Sequence, residues 1–405
     1  MFDLNIFYPA SLNVANIPGT PCSDDKLIKE IDKTTKNEFY GDFIKTIERR
    51  ILPKVRIIEK DDNGINTNVP PYECTVLITL YRASVSVNLT IFDINWDITN
   101  VLNQVSSGNL CVEYQGKEQN IVDYLGGFGI TVFSDAKCLI TASKEEPTLM
   151  DKEENKDYKY YILAGEAFHS KQFNYRIKAD DFRKSASVNV ARYNFSDIYL
   201  SRKNVLFHIQ EEVEESKDRF IYSVLMIFIM EIIVLQIAAL KRINENIKND
   251  FADEKLKDIS AVKEINEDMN KYLSLWDINN FYYQMAQDLF SLVLNAFKVD
   301  EIKAEYIHNS QVLQNIIGIR KAFSEEQETN RKTKINKITQ RFFQIFALIG
   351  IISTLDKVMY TILPLIFKNI SERSIGIVTV VGWMLSIIAF FTVYYLNYKR
   401  NKLTK

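Results

Sequence analysis

Hydrophobic and polar positions near the end of the chain fall into blocks. A basic run is followed by an apolar stretch from Phe342 to Phe367, a polar gap from Lys368 to Ser374, a second apolar stretch from Ile375 to Leu396, and a basic tail. Each stretch reaches the roughly twenty residues that cross a bilayer at helical rise, and the gap is too short to hold a domain. The pattern predicts a transmembrane hairpin with both outer ends on one side. Arg331, Lys332, Lys334, Lys337 and Arg341 precede it and Lys399, Arg400, Lys402 and Lys405 follow it, against Lys368 and Arg373 in the gap. The positive-inside rule then puts the outer ends in the cytoplasm. Trp383, Tyr394, Tyr395 and Tyr398 have the amphipathic rings that favour helix ends at the headgroups. The expected location is the cell inner membrane, multi-pass, with the N-terminal domain and the C-terminal tail cytoplasmic.

Upstream the pattern changes period. Thr75–Tyr81, Val85–Ile91, Ile130–Phe133 and Tyr158–Leu163 are rich in β-branched and aromatic residues and predict strands. Asp25 to Ile51 predicts a helix closed by Pro53. Lys60–Pro71 and Lys144–Lys159 carry turn formers or charge and predict loops. From about Ser196 onward Gly and Pro almost vanish and apolar residues recur at helical spacing. Three long helices follow: Tyr199–Asp250, Asp253–Val299, and Asp300 into the first membrane span, with no proline before Pro364. The expected fold is an α+β cytoplasmic domain, then long helices, then a C-terminal two-helix transmembrane hairpin. Its parts are an N-terminal α/β domain (1–198), a long-helix and stalk region (199–341), two transmembrane helices within 342–398 (342–367 and 375–396) and a tail (399–405).

Ile221 to Leu240 is apolar enough to read as a third span. As a span it would bury Glu231 and Gln236 at membrane depth, where such groups are costly; as a soluble helix it would be buried all round. The buried reading is preferred, because the N-terminal MFDLNIFYPASLN has no cationic n-region and long apolar h-region, and the cysteines suggest no oxidising compartment.

Composition adds little. In 405 residues the formal net charge is −2, so no overall field argues for nucleic-acid duplexes or anionic lipid. Cys22, Cys74, Cys111 and Cys138 form no CxxC pair, and His169, His208 and His308 are as widely spaced, so no zinc-ligand spacing exists. With no nucleophile–base pair or paired carboxylates in context, an enzyme has no foothold.

The strongest chemical candidates are Asp356 and Lys357, two charges inside the first span, where an ionisable side chain must face protein or water. They flank a helical stripe of Ser353, Tyr360 and Pro364. A ring of Asp356 carboxylates would favour cations and a ring of Lys357 would reject them; a contact between the two on neighbouring subunits would instead seal a closed bundle. Pro364 lacks the amide that would bond to the Tyr360 carbonyl and makes a hinge candidate, or a proline merely tolerated near a helix end. Phe342, Phe343 and Phe346 could close a pore by dewetting or simply face lipid. Glu211, Glu212, Glu214, Glu215 and Asp218, with Asp250, Asp253, Glu254 and Asp258, offer hard oxygen ligands, although a solvated helical face explains them more simply. Gly126-Gly127-Phe128-Gly129 reads as a tight turn and not a phosphate loop. Lys171, Arg176, Arg183 and Lys184, interleaved with aromatics between Phe168 and Arg192, are candidates for a nucleotide's phosphates and base, with alternation along a half-exposed strand as the plainer account.

This order of elements resembles the CorA-type divalent-cation transporter family. The stalk matches Asp300–Arg341, the pore-lining span Phe342–Phe367 and the outer span Ile375–Leu396. The resemblance implies a funnel-shaped homopentamer with the first spans around its axis; it does not identify the ion, for which a divalent cation such as magnesium is one candidate. Family transporters carry Gly-Met-Asn at the end of the first span. This chain has Ile366-Phe367-Lys368-Asn369-Ile370, so only Asn369 stands in and Lys368 would repel a divalent ion. Divergent members without the motif resemble effectors of CRISPR-linked antiviral defence gated by a nucleotide messenger. The alternative, from another class, is a membrane-anchored sensor or scaffold without ion conduction.

Overall fold

The computed structural model describes every residue except 1, 15, 22–24, 39–46, 61–65, 67–69, 95–96, 134, 144–156, 169–187, 192–195, 211–215, 253–280, 359–360, 362, 367–370 and 404–405. The chain divides into two compact units, Met1–Gln314 and Asn315–Lys405.

The first unit is built on one sheet. Its described strands are β1 (Phe2–Leu12), β2 (Thr20–Pro21), β3 (Glu48–Ile58), β4 (Tyr72–Tyr81), β5 (Ser84–Ile94), β6 (Cys111–Tyr114), β7 (Lys117–Asn120), β8 (Ile130–Val132), β9 (Lys137–Ser143), β10 (Ser196–Leu200) and β11 (Asn204–Ile209). The order is β10-β11-β9-β1-β5-β4-β3-β6-β7, with β2 on β3 and β8 on β1. β9 and β11 pair in parallel; β1 is antiparallel to both its neighbours. Alternation along β1 shows how both faces come to be buried. Leu4, Ile6 and Tyr8 enter one core beside α2 (Thr99–Ser107), α3 (Ile121–Gly126) and α4 (Tyr158–Ala164). Phe7 enters the other with α1 (Lys26–Glu38), α5 (Ser216–Ala252), α6 (Gln284–Ala296) and the first turns of α7 (Val299–Lys357). The unit is thus a three-layer sandwich with a mainly antiparallel sheet in the middle.

The apolar segment Ile221–Leu240 belongs to α5, and from Ser223 to Leu240 its described side chains are buried except for half-buried Leu225. It lies across β1, β5, β9 and β4. The strand face beneath it is polar for its position: Asn5, Ser86, Asn88, Thr90, Thr79 and Thr141 are all buried. Thr90 donates to Asn5 Oδ1 at 2.8 Å, while Ser86 Oγ, Asn88 Oδ1, Thr141 Oγ1 and Gln236 Oε1 are shielded without a hydrogen-bond partner among the described residues. An almost wholly apolar helix therefore covers a partly polar sheet, and polar pairing fixes its position at few points.

Several expectations are corrected. Tyr158–Leu163 is helix, not strand: Tyr158 and Ile162 are buried on one face at helical spacing, and Gly165 in the left-handed region closes the turn. Of the helix expected over Asp25–Ile51, Lys26–Glu38 is helical, 39–46 lie outside the described residues and Glu48–Ile51 belongs to β3, which also holds Pro53 where the pairing with β4 shifts between Leu52 and Val55. A bulge tolerates the missing amide. The helix expected from Tyr199 begins at Ser216, because Ser196–Leu200 and Asn204–Ile209 complete the sheet. Of the acidic residues named above, 211–215 and 253–258 lie outside the described residues. The turn reading of Gly126–Gly129 holds, with Gly129 at φ 74° leading into β8. Cys74, Cys111 and Cys138 are buried and unbridged, and burial pushes the Cys138 thiol up to about 12.

Gly165 offers a direct stability test. It sits at φ 70°, and a Cβ there would come within 2.3 Å of Ser106 Oγ and 3.2 Å of Asn204 Nδ2, the group that donates to the Ile162 carbonyl at 2.6 Å. Gly165→Ala is expected to destabilise by about 2 kcal/mol or more. Chemical denaturation of the purified full chain checks this.

The second unit contains the rest of α7, a wider π-type turn at Val358 and Thr361, α8 (Leu363–Ile366) and α9 (Glu372–Leu403). Among the described residues of the first apolar stretch, α7 runs to Lys357, the wider turn follows, and Pro364 lies in α8. Arg373–Thr392 is long and apolar enough to cross a membrane, and within it Ile375 and Thr379 are the buried residues. It and Ser223–Asn249 are the two such helices among the described residues.

Candidate functional site

The second unit presents apolar surface that its own fold does not cover. Phe342, Phe343 and Phe346, the candidate gate residues, are 59%, 70% and 67% exposed. Between Ile335 and Ile352 a further order emerges. Ile335, Ile338, Phe342, Ile345, Ile349 and Ile352 follow one another at spacings of three and four, the repeat of a coiled-coil seam. The first five are exposed. Two of them precede the apolar stretch: Ile335 and Ile338 stand among Lys334, Lys337 and Arg341, where lipid tails would not reach them. Continued by the same spacing, the seam arrives at Asp356, which shares the heptad position of Ile335, Phe342 and Ile349, while Lys357 falls beside it.

Asp356 is half-buried, and its Oδ1 is shielded without a hydrogen-bond partner among the described residues. Ser353 and Lys357 are exposed. Tyr360 and Asn369 lie outside the described residues, as do the nucleotide-binding candidates Lys171, Arg176, Arg183 and Lys184. The seam was missed because the whole stretch after Phe342 is apolar and hides any stripe; the signal lay just upstream, in two isoleucines isolated among charges.

In the first unit Glu231 proves to be a structural charge. Arg49 Nε donates to Glu231 Oε1 at 3.0 Å and Nη2 to Oε2 at 2.5 Å, a bidentate pair with side chains 5% and 3% exposed. Thr79 Oγ1 donates to the same carboxylate and Arg49 Nη1 to Asp32. Burial alone would lower the Arg49 pKa, but Glu231 and Asp32 hold the guanidinium above its ordinary range. The network joins α1, β3, β4 and α5. Among the described residues no three His, Cys, Asp or Glu side chains are placed to hold a metal ion.

No family model, no curated protein and no solved structure matches this chain.

Proposed function

We propose that the chain is a subunit of a homo-oligomeric, CorA-like membrane ion channel or transporter, anchored by the hairpin, whose cytoplasmic unit controls a pore lined by the end of α7. The observation that carries this reading is the exposed three-four seam ending on Asp356. A seam that begins among charged residues needs a protein partner, and a second copy offers the same seam in the same register. The partner copies then enclose Asp356 along a common axis, where carboxylates favour cations. The large exposed apolar surface of Arg373–Thr392 suits the lipid-facing outer helix. Pentameric assembly, inner-membrane topology with a cytoplasmic N-terminal unit, and a role in antiviral defence extend the same resemblance.

In proteoliposomes the purified chain is expected to pass monovalent or divalent cations in preference to chloride, measured by ion-sensitive dyes. A cysteine placed at Ile338 is expected to form a disulfide between subunits under mild oxidant. Monomers that neither cross-link at position 338 nor conduct would leave the membrane-anchored sensor as the better account.

A further inference from the structure

In the first unit a cleft of about 270 Å³ opens where the start of β9, the β10–β11 turn, α5 and the first two turns of α7 meet. Four cationic side chains line it: Lys137, Arg202, Lys241 and Lys298. Three carboxylates line it too, and each is already matched. Asp135 meets Lys241 at 3.2 Å, Glu301 meets Lys298 at 2.7 Å and Arg202 at 3.9 Å, and Glu305 meets Lys248 at 2.8 Å. Lys137 is the exception. It is 4% exposed, lies 5.0 Å from the Phe297 ring centroid, and donates to the Arg202 carbonyl at 2.8 Å, yet it makes no ion pair among the described residues.

A buried ammonium held in no ion pair is expensive, and a bound anion would offset that cost. Desolvation is the main cause that brings Lys137 down to about 8; Asp135 opposes this and the neighbouring Lys241 and Arg202 add to it. Four positive groups thus converge on one recess. Two of the five described non-glycine residues with positive φ, Asp135 (77°) and Lys298 (56°), also stand at its rim. Such backbone concentrates at ligand sites.

We propose that this cleft is the seat of a small phosphate-bearing ligand, with Lys137 as its buried anchor and Arg202, Lys241 and Lys298 around it. An ammonium has three donors and Lys137 spends one on the Arg202 carbonyl, leaving two for phosphate oxygens. The cleft admits a phosphomonoester or pyrophosphate but not a polymer. Its walls come from the sheet and from α7, and Lys298 and Arg202, the cations that now hold Glu301, line it, so a bound anion competes with Glu301 for them and alters how the root of α7 is fastened. That consequence rests on the channel reading; the binding itself does not.

The test is calorimetric titration of the full chain in detergent with inorganic phosphate and pyrophosphate. Binding is expected, with pyrophosphate tighter. Lys137→Met is expected to weaken it about 10-fold or more, the worth of a lost charge-assisted hydrogen bond, without lowering the melting temperature, because the variant also removes a buried charge. Arg202→Gln, at a side chain 68% exposed and so harmless to folding, is expected to weaken binding several-fold. Displacement of bound pyrophosphate by a soluble phosphomonoester or by phosphatidate vesicles tells a free ligand from a lipid headgroup, and either result supports the seat. The proposal is overturned if the wild type binds neither anion at millimolar concentration, if citrate binds more tightly than pyrophosphate, or if both variants bind as the wild type does. Ion flux is not read in this experiment, so a failed seat and a failed channel remain distinct results.

Discussion

Glu231→Ala is expected to destabilise the first unit by about 3–5 kcal/mol, the usual cost of breaking a buried ion pair by removing one partner. The loss comes less from the missing attraction than from what is stranded: Arg49, 5% exposed, would keep its charge with only Asp32, itself 46% exposed, to face it. Set against a total stability of roughly 5–15 kcal/mol, this is a large fraction, and the denaturation midpoint of the purified chain should fall accordingly. Asp32→Ala, at the solvent-exposed end of the same network, is expected to cost less than about 1 kcal/mol. Replacing both partners by apolar residues, Arg49→Met with Glu231→Leu, should recover most of the loss. A cost below about 1 kcal/mol for Glu231→Ala would show that the pair contributes little.

The double variant bears on why a charge is retained there. α5 is apolar on nearly every side from Val224 to Leu240, so burial alone gives that part little preference for one register on the sheet. The bidentate pair fixes the rotation and height of the helix relative to β3 and β4 at the point where Arg49 and Thr79 pair across the strands. The double variant is therefore expected to regain stability while α5 loses order, visible as faster amide exchange along α5 at unchanged overall stability.

How much of this was legible in the sequence depended on whether one face of an element was polar. β4 and β5 were found because their β-branched runs end at a tight turn through Arg82, which takes φ 54°. β1 went unread although it is eleven residues long, since both faces are buried and its inward positions include Asp3 and Asn5, which break any simple alternation. Tyr158–Ala164 has the composition of a strand and the caps of a helix; in so short an element the Gly165 turn and the burial of Tyr158, whose hydroxyl donates to Asp97 at 2.8 Å, outweigh propensity. The buried reading of Ile221–Leu240 rested on compartment arguments, but the reason the segment stays in the fold is the partner on β3 that the sequence does not place beside Glu231. The cleft around Lys137 was invisible for the same reason, its cations coming from positions 137, 202, 241 and 298.

Asp356→Asn is expected to reduce the preference for cations over chloride at least 10-fold in proteoliposomes, and Lys357→Gln to change it by less than about 3-fold. The asymmetry follows from the seam. A residue at the heptad position of Ile335, Phe342 and Ile349 faces the partner copies, and its neighbour one step along the helix is turned about 100° away. A single charge about 5 Å from a permeating ion is worth about 3 kcal/mol at an effective dielectric constant of about 20, and every subunit of a symmetric ring contributes one. Asparagine keeps the shape and one acceptor oxygen, so assembly, read from the Ile338 cross-link, should survive and the change in selectivity can be assigned to charge. Unaltered selectivity in Asp356→Asn, with a large change in Lys357→Gln, would turn the helix by one residue and make the pore anionic in preference. Unaltered selectivity in both, with conduction intact, would place the lining elsewhere on the chain and remove the main support for α7 as the pore helix.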